Sequence, residues 1–134
     1  MNKIIILLIL AAIVVLICYI AYEGFVDSQE DKLTLKTKEI YRGMRAEQVI
    51  KVLGEPNYRG LIESSKMPKG WDSSWQKDYD NMRAKYDKLL FYNYHIERYQ
   101  FIFFRKIPGL VQIDVCFDPA EERVVYVSRF LAME

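Results

Sequence analysis

Histidine and cysteine are almost missing from this sequence, and with them most routes to metal binding and nucleophilic catalysis. Its 134 residues contain one histidine and two cysteines. His95 stands among Tyr92, Tyr94 and Tyr99, outside any H-x-x-x-H or H-E-x-x-H spacing, so no metal site is expected. A Ser-His-Asp or Cys-His assembly would have to use His95, yet no serine has an elbow-like context and Cys116 falls in an alternating strand pattern. Cys18 lies inside an apolar run, far from Cys116, which leaves no disulfide framework. Neither G-x-G-x-x-G nor G-x-x-x-x-G-K-[ST] is present to cradle a phosphate. The acidic pairs Asp78/Asp80 and Glu121/Glu122 sit beside basic residues or turns and read as solvated surface, not as a two-carboxylate catalytic pair. No cofactor and no enzymatic activity are expected.

A surplus of charge of either sign is also lacking. The formal net charge is +1, with 28% charged and 51% hydrophobic residues. That balance gives no electrostatic basis for nucleic-acid binding and argues against disorder. A chain of this length has room for one folded domain.

What is present in excess is one apolar run. From Ile4 to Tyr22 the sequence carries no charge, and about nineteen residues at 1.5 Å rise cross a ~30 Å hydrocarbon core. Signal peptides have shorter apolar regions of about 7–15 residues and an A-x-A-like cleavage site, so residues 1–26 read as an uncleaved membrane anchor. Ile17 stands before Cys18, where a lipobox needs a small residue, which argues against acylation of Cys18. Tyr19 and Tyr22 mark the membrane exit. Lys3 precedes the run, and Glu23, Asp27, Glu30 and Asp31 follow it, as in an N-in anchor with an extracytoplasmic domain. Lys32, Lys36, Lys38 and Arg42 count against that orientation under the positive-inside rule, so charge alone leaves it open.

Residues 27–42 read as a polar linker around Asp27–Asp31, followed by a short helix or tether. The clearest helix lies in MRAEQVIKVLGEP, where Ala46, Val49, Ile50 and Leu53 form one apolar stripe and Gly54 with Pro56 ends it. Asn57 to Gly70 is turn-rich and reads as a loop. Trp75, Tyr79, Met82, Tyr86 and Leu89 then recur at spacings of four and three, predicting a second helix near 74–90. Three β-prone runs follow at Tyr99–Arg105, Val111–Phe117 and Val124–Phe130, with Pro108-Gly109 and Asp118-Pro119 as turns. Phe91–Ile96 extends this sheet or leads into it. The expected fold is α+β: an N-terminal transmembrane helix, then a two-layer domain of two or three helices on a three-stranded antiparallel sheet. Trp71, Trp75, Tyr79, Tyr92 and Tyr94 are the aromatic candidates for an interaction surface, although an aromatic stripe is more often a core face.

The string GMRAEQVIKVLGEP resembles the signature of the BamE (SmpA/OmlA) family, G-M-[ST]-x-x-Q-V-x-x-x-L-G-x-P, at Gly43, Met44, Gln48, Val49, Leu53, Gly54 and Pro56. The order of helices before strands, ending in VCFDPAEERVVYV, is similar as well. The resemblance covers residues 43–134, with the helix near 74–90 as an insertion and a transmembrane anchor in place of a lipobox. It implies a non-enzymatic scaffold of the bacterial cell envelope, accessory to outer-membrane protein assembly and contacting a protein partner. The alternative is a module binding a lipid or peptidoglycan-type ligand between the aromatic strands and the Trp75/Tyr79/Met82 helix.

Overall fold

The computed structural model describes residues 2–70, 73–100, 105–108 and 111–131. Helix α1 spans Lys3–Thr37 without a break. Asn2 caps its start by accepting the Ile4 N–H. The helix has two halves. From Ile4 to Ile20 its large apolar side chains are exposed, and this is the one helix among the described residues long and apolar enough to cross a membrane. Beyond that run, Val26, Glu30, Leu33 and Thr37 form a buried stripe at spacings of four, three and four. No linker intervenes at Asp27–Asp31, which corrects the sequence expectation. Asp27, Ser28 and Asp31 are on the exposed face of a helix whose other face, Glu30 included, is docked on the domain. The helix tightens at its end through Lys38 N–H to Leu35 O and Ile40 N–H to Thr37 O, which brings Ile40 into the core.

Helices α2 (Ala46–Leu53) and α3 (Gln76–Lys85) follow, with six strands: β1 (Tyr58–Glu63), β2 (Lys88–Tyr94), β3 (Glu97–Gln100), β4 (Arg105–Pro108), β5 (Val111–Phe117) and β6 (Val124–Leu131). The main sheet is antiparallel in the order β1-β2-β5-β6. It therefore has four strands, not three. Its first strand lies in the stretch expected to be a loop, and the strand beside β5 is β2, not the Tyr99–Arg105 run. That run contributes to a separate hairpin, β3 with β4, pairing Glu97 with Pro108 and Gln100 with Arg105. The residues between β3 and β4, and Gly109 of the expected Pro108-Gly109 turn, lie outside the described residues. Since β2 leads into β3, and β4 into β5, the hairpin prolongs the two central strands beyond the sheet.

Strand alternation sends Tyr92, Tyr94, Ile113 and Val115 to one face and Cys116, Tyr126 and Ser128 to the other. The first face meets α2, where the Tyr94 hydroxyl donates to Gly54 O at 3.0 Å. The second lies under α3 and the Met67–Gly70 segment: Tyr79 packs on Tyr126 with ring centroids 5.5 Å apart, and Ser128 Oγ donates to Pro68 O. The sheet is thus covered on both faces, one layer more than expected. The helix expected near 74–90 is shorter because a 3₁₀ turn, Ser73–Trp75, precedes it and Tyr86 is already extended.

Candidate functional site

The seven motif residues tie α2 to the sheet. Gly43 and Gly54 both have φ of 85°, a conformation that glycine adopts without steric cost. The Gly43 N–H donates to Val124 O, its carbonyl accepts from Arg123 Nη1, and the Val124 N–H donates to Met44 O. Gln48 Oε1 accepts the Arg45 N–H at 3.1 Å, the half of a capping box that an arginine at the cap position still permits. Met44 and Val49 are buried, Leu53 packs against the core, and Gly54 with Pro56 ends the helix beneath the Tyr94 hydroxyl. All seven positions serve the fold.

The aromatic candidates divide. Trp75, Tyr92 and Tyr94 are buried, and Tyr79 is partly buried against Tyr126 with its hydroxyl on Met67 O. These four fill the interior, and the space left between α3 and the sheet is a shallow open pocket beside Met82, where Asp78, Asn81, Lys85 and Tyr86 face Val124 and Val125. Their stripe is a core face, a correction to their reading as surface. Arg42 covers the edge of this packing, 4.4 Å above the Trp75 ring, with Nε donating to Asp78 at 2.7 Å. The Asp78 carboxylate raises the Arg42 pKa. Trp71 lies outside the described residues.

Two side-chain clusters remain. The first is a polar row across the sheet. Asn93 Nδ2 donates to Asp114 Oδ1 at 2.7 Å and to Gln112 Oε1 at 3.1 Å. Those two acceptors leave Asn93 Oδ1 facing His95 Nδ1 at 2.7 Å, so the imidazole carries its proton on Nδ1. Burial pushes the Asp114 carboxyl up to about 6 and lowers the His95 pKa. Despite these shifts the row is no acid–base relay, because a neutral amide stands between carboxyl and imidazole and passes no proton on. The His95 N–H donates to Asn57 Oδ1, so the row fastens the start of β1 to β2 and β5. Burial also raises the Cys116 thiol well above its ordinary value, leaving it neutral and unreactive. Among the described residues no three His, Cys, Asp or Glu side chains converge as a metal would require.

The second cluster joins hairpin to anchor. Arg98 Nη1 donates to Glu23 at 2.6 Å and Nη2 to Asp27 at 3.2 Å. The neighbouring Tyr99 N–H donates to the Tyr22 hydroxyl at 2.7 Å. Arg98 and Glu23 are 20% and 26% exposed at the side chain, so this ion pair is partly withdrawn from solvent. Sequence reasoning placed Tyr22 at the membrane exit but missed Arg98. A signal existed: Glu23, Asp27 and Asp31 repeat one charge at i, i+4, i+8 on a helix, which asks for a cation from elsewhere.

Strands β1 and β6 are the two edges of the sheet among the described residues. The Gly43–Met44 segment bonds β6 at Val124, whereas the outer edge of β1 has no partner strand there and carries exposed Tyr58 and Leu61. Comparison with known proteins found no matching family model, no matching curated protein and no matching solved structure.

Proposed function

We propose that this protein is a non-enzymatic interaction module held rigidly at a membrane surface, presenting its domain on the extracytoplasmic side to a protein partner in the cell envelope. The observation that carries the reading is the continuity of α1: the same helix that is apolar enough to span is buried along the domain from Val26 to Thr37. A tether for a freely moving domain has no use for such docking, whereas a scaffold that must face a neighbour at fixed height and orientation does. The open edge of β1, with Tyr58 and Leu61 exposed, is the surface best suited to accept a partner by strand addition. The acids following the span, against Lys3 before it, support the N-in orientation. The specific role of accessory to outer-membrane protein assembly rests on the motif at Gly43–Pro56.

Photocrosslinking residues placed at Tyr58 and Leu61 in native membranes test this. The expected result is one reproducible protein adduct at both positions that is lost when β1 is blocked by Leu61→Pro. Absence of any protein adduct removes the scaffold role. A C-terminal alkaline-phosphatase fusion reads the orientation: activity is expected, and inactivity places the domain in the cytoplasm.

A further inference from the structure

The β3–β4 hairpin pairs apart from the main sheet and is fastened to α1 where the apolar run ends. A helical side chain leans toward the N-terminus and covers the turn before its own Cα. The Tyr22 hydroxyl that receives the Tyr99 N–H therefore holds β3 beside the last turn of the uncharged run Ile4–Tyr22. Direction follows from the neighbouring bonds. Arg98 reaches the acids at Glu23 and Asp27, and the next residue reaches Tyr22, so β3 advances toward the apolar segment. The pair Gln100–Arg105 is then the described part of the hairpin nearest the bilayer.

The headgroup layer on each side of the hydrocarbon core is about 5–8 Å deep. A strand advances ~3.3 Å per residue. A strand whose amide already meets Tyr22 thus enters that layer within a residue or two.

We propose that the β3–β4 hairpin at its Gln100–Arg105 pair, held by Tyr99 on Tyr22 and by Arg98 on Glu23 and Asp27, rests in the lipid interface beside α1 as the domain's second membrane contact. This rests on the reading of α1 as a spanning helix. Two contacts on one leaflet fix the tilt of the domain, which a single helix passing through a bilayer does not.

The test uses the full chain in lipid nanodiscs with an environment-sensitive fluorophore on one cysteine at a time. Native Cys18 is exposed on α1 and reports the span, while Cys116 is fully buried and does not label in the folded protein. In a Cys18→Ala background the label is placed through Gln100→Cys, through Arg105→Cys on the opposite strand, or through Leu61→Cys. Leu61 pairs with Leu90, ten residues back from Gln100 along the ribbon, or about 33 Å at the strand rise. Nitroxide-bearing lipid is expected to quench the label at 100 or 105 several-fold more than at 61, with iodide in the buffer showing the reverse order. Equal quenching at 100, 105 and 61 overturns the proposal. So does protection of 100 and 105 from both quenchers, which means that protein and not lipid covers the hairpin. If the label on Cys18 escapes the lipid quencher, the spanning reading itself fails, and the two failures are told apart.

Discussion

Asp114 is 5% exposed and keeps one strong hydrogen bond, from Asn93, too little to compensate a buried charge. Its folded-state pKa of about 6 lies above the ordinary 3.8, so the folded protein holds this proton more tightly than the unfolded chain. The stability it contributes is full below about pH 4 and is lost as pH rises through about 6, on the order of 3 kcal/mol at 1.36 kcal/mol per pKa unit. Asp114→Asn keeps the acceptor for Asn93 without the charge. Chemical denaturation should find the variant more stable than the parent at pH 7.5 by up to ~3 kcal/mol, with the gap closing near pH 4. A gap that does not depend on pH contradicts the assignment. Gly70 is a steric constraint of a different kind. A Cβ there would lie 2.6 Å from Arg129 N and 3.0 Å from Ser128 Cα, both backbone atoms that cannot swing away. Gly70→Ala should cost about 2–3 kcal/mol and lower the melting temperature, because the segment must lift from β6 and loses its bond to the Tyr126 hydroxyl.

Helix α1 is one element with two kinds of surface, an exposed apolar run long enough to cross a membrane and a stripe buried on the domain. Its apolar stripe beyond the span, Val26 and Leu33, is core of the soluble domain at roughly 1.5–3 kcal/mol for each buried side chain. A chain beginning at Glu23 should therefore be soluble and unfold in one cooperative transition. A chain beginning at Lys38 should lose that cooperativity and expose the face that α1 covered. Circular dichroism melts of the two truncations check this, and equal stability would mean that the docked half is dispensable. The hairpin depends on the same helix. Arg98→Ala should leave the main sheet intact while destabilising the clamp by about 1–2 kcal/mol, seen as faster amide exchange confined to β3 and β4.

Elements were legible in the sequence where their periodicity was local. The α2 stripe, the alternation of Val111–Phe117 and the Asp118-Pro119 turn were readable because each is set by near neighbours. The turn stands on the bond from the Ala120 N–H to Asp118 Oδ1, with Glu122 at φ of 53°. Strand β1 was hidden because Arg59-Gly60 interrupts any apolar pattern and its strand character comes from pairing with β2. The unbroken path of α1 was hidden because the acids at Asp27–Asp31 read as solvated linker. Only the tertiary partner, a domain face along Val26–Thr37, puts Asp27 and Asp31 on the outside of a docked helix and Glu30 on its inner face. The hairpin clamp was half legible, Tyr22 from composition but Arg98 only once its strand was placed.

At the scale of the molecule, these pieces make a body without a hinge between membrane and domain. A helix of 35 residues is about 52 Å long at 1.5 Å per residue. About 30 Å of it is apolar enough to cross a hydrocarbon core, and the remainder forms part of the domain's core. The two central strands continue into β3 and β4, and the Tyr99 N–H meets the Tyr22 hydroxyl where the apolar run ends. On the proposed reading, height above the bilayer is set by the helix and tilt by the hairpin, which suits a scaffold offering the β1 edge to a neighbour. The measurement that tests this most directly is amide hydrogen exchange across Glu23–Thr37 in the full chain held in lipid. Exchange as slow as that of β5, uniform through Asp27–Asp31, is predicted. Exchange at unstructured-chain rates in Asp27–Asp31, with protection on either side, would mean a flexible linker and a domain free to swing.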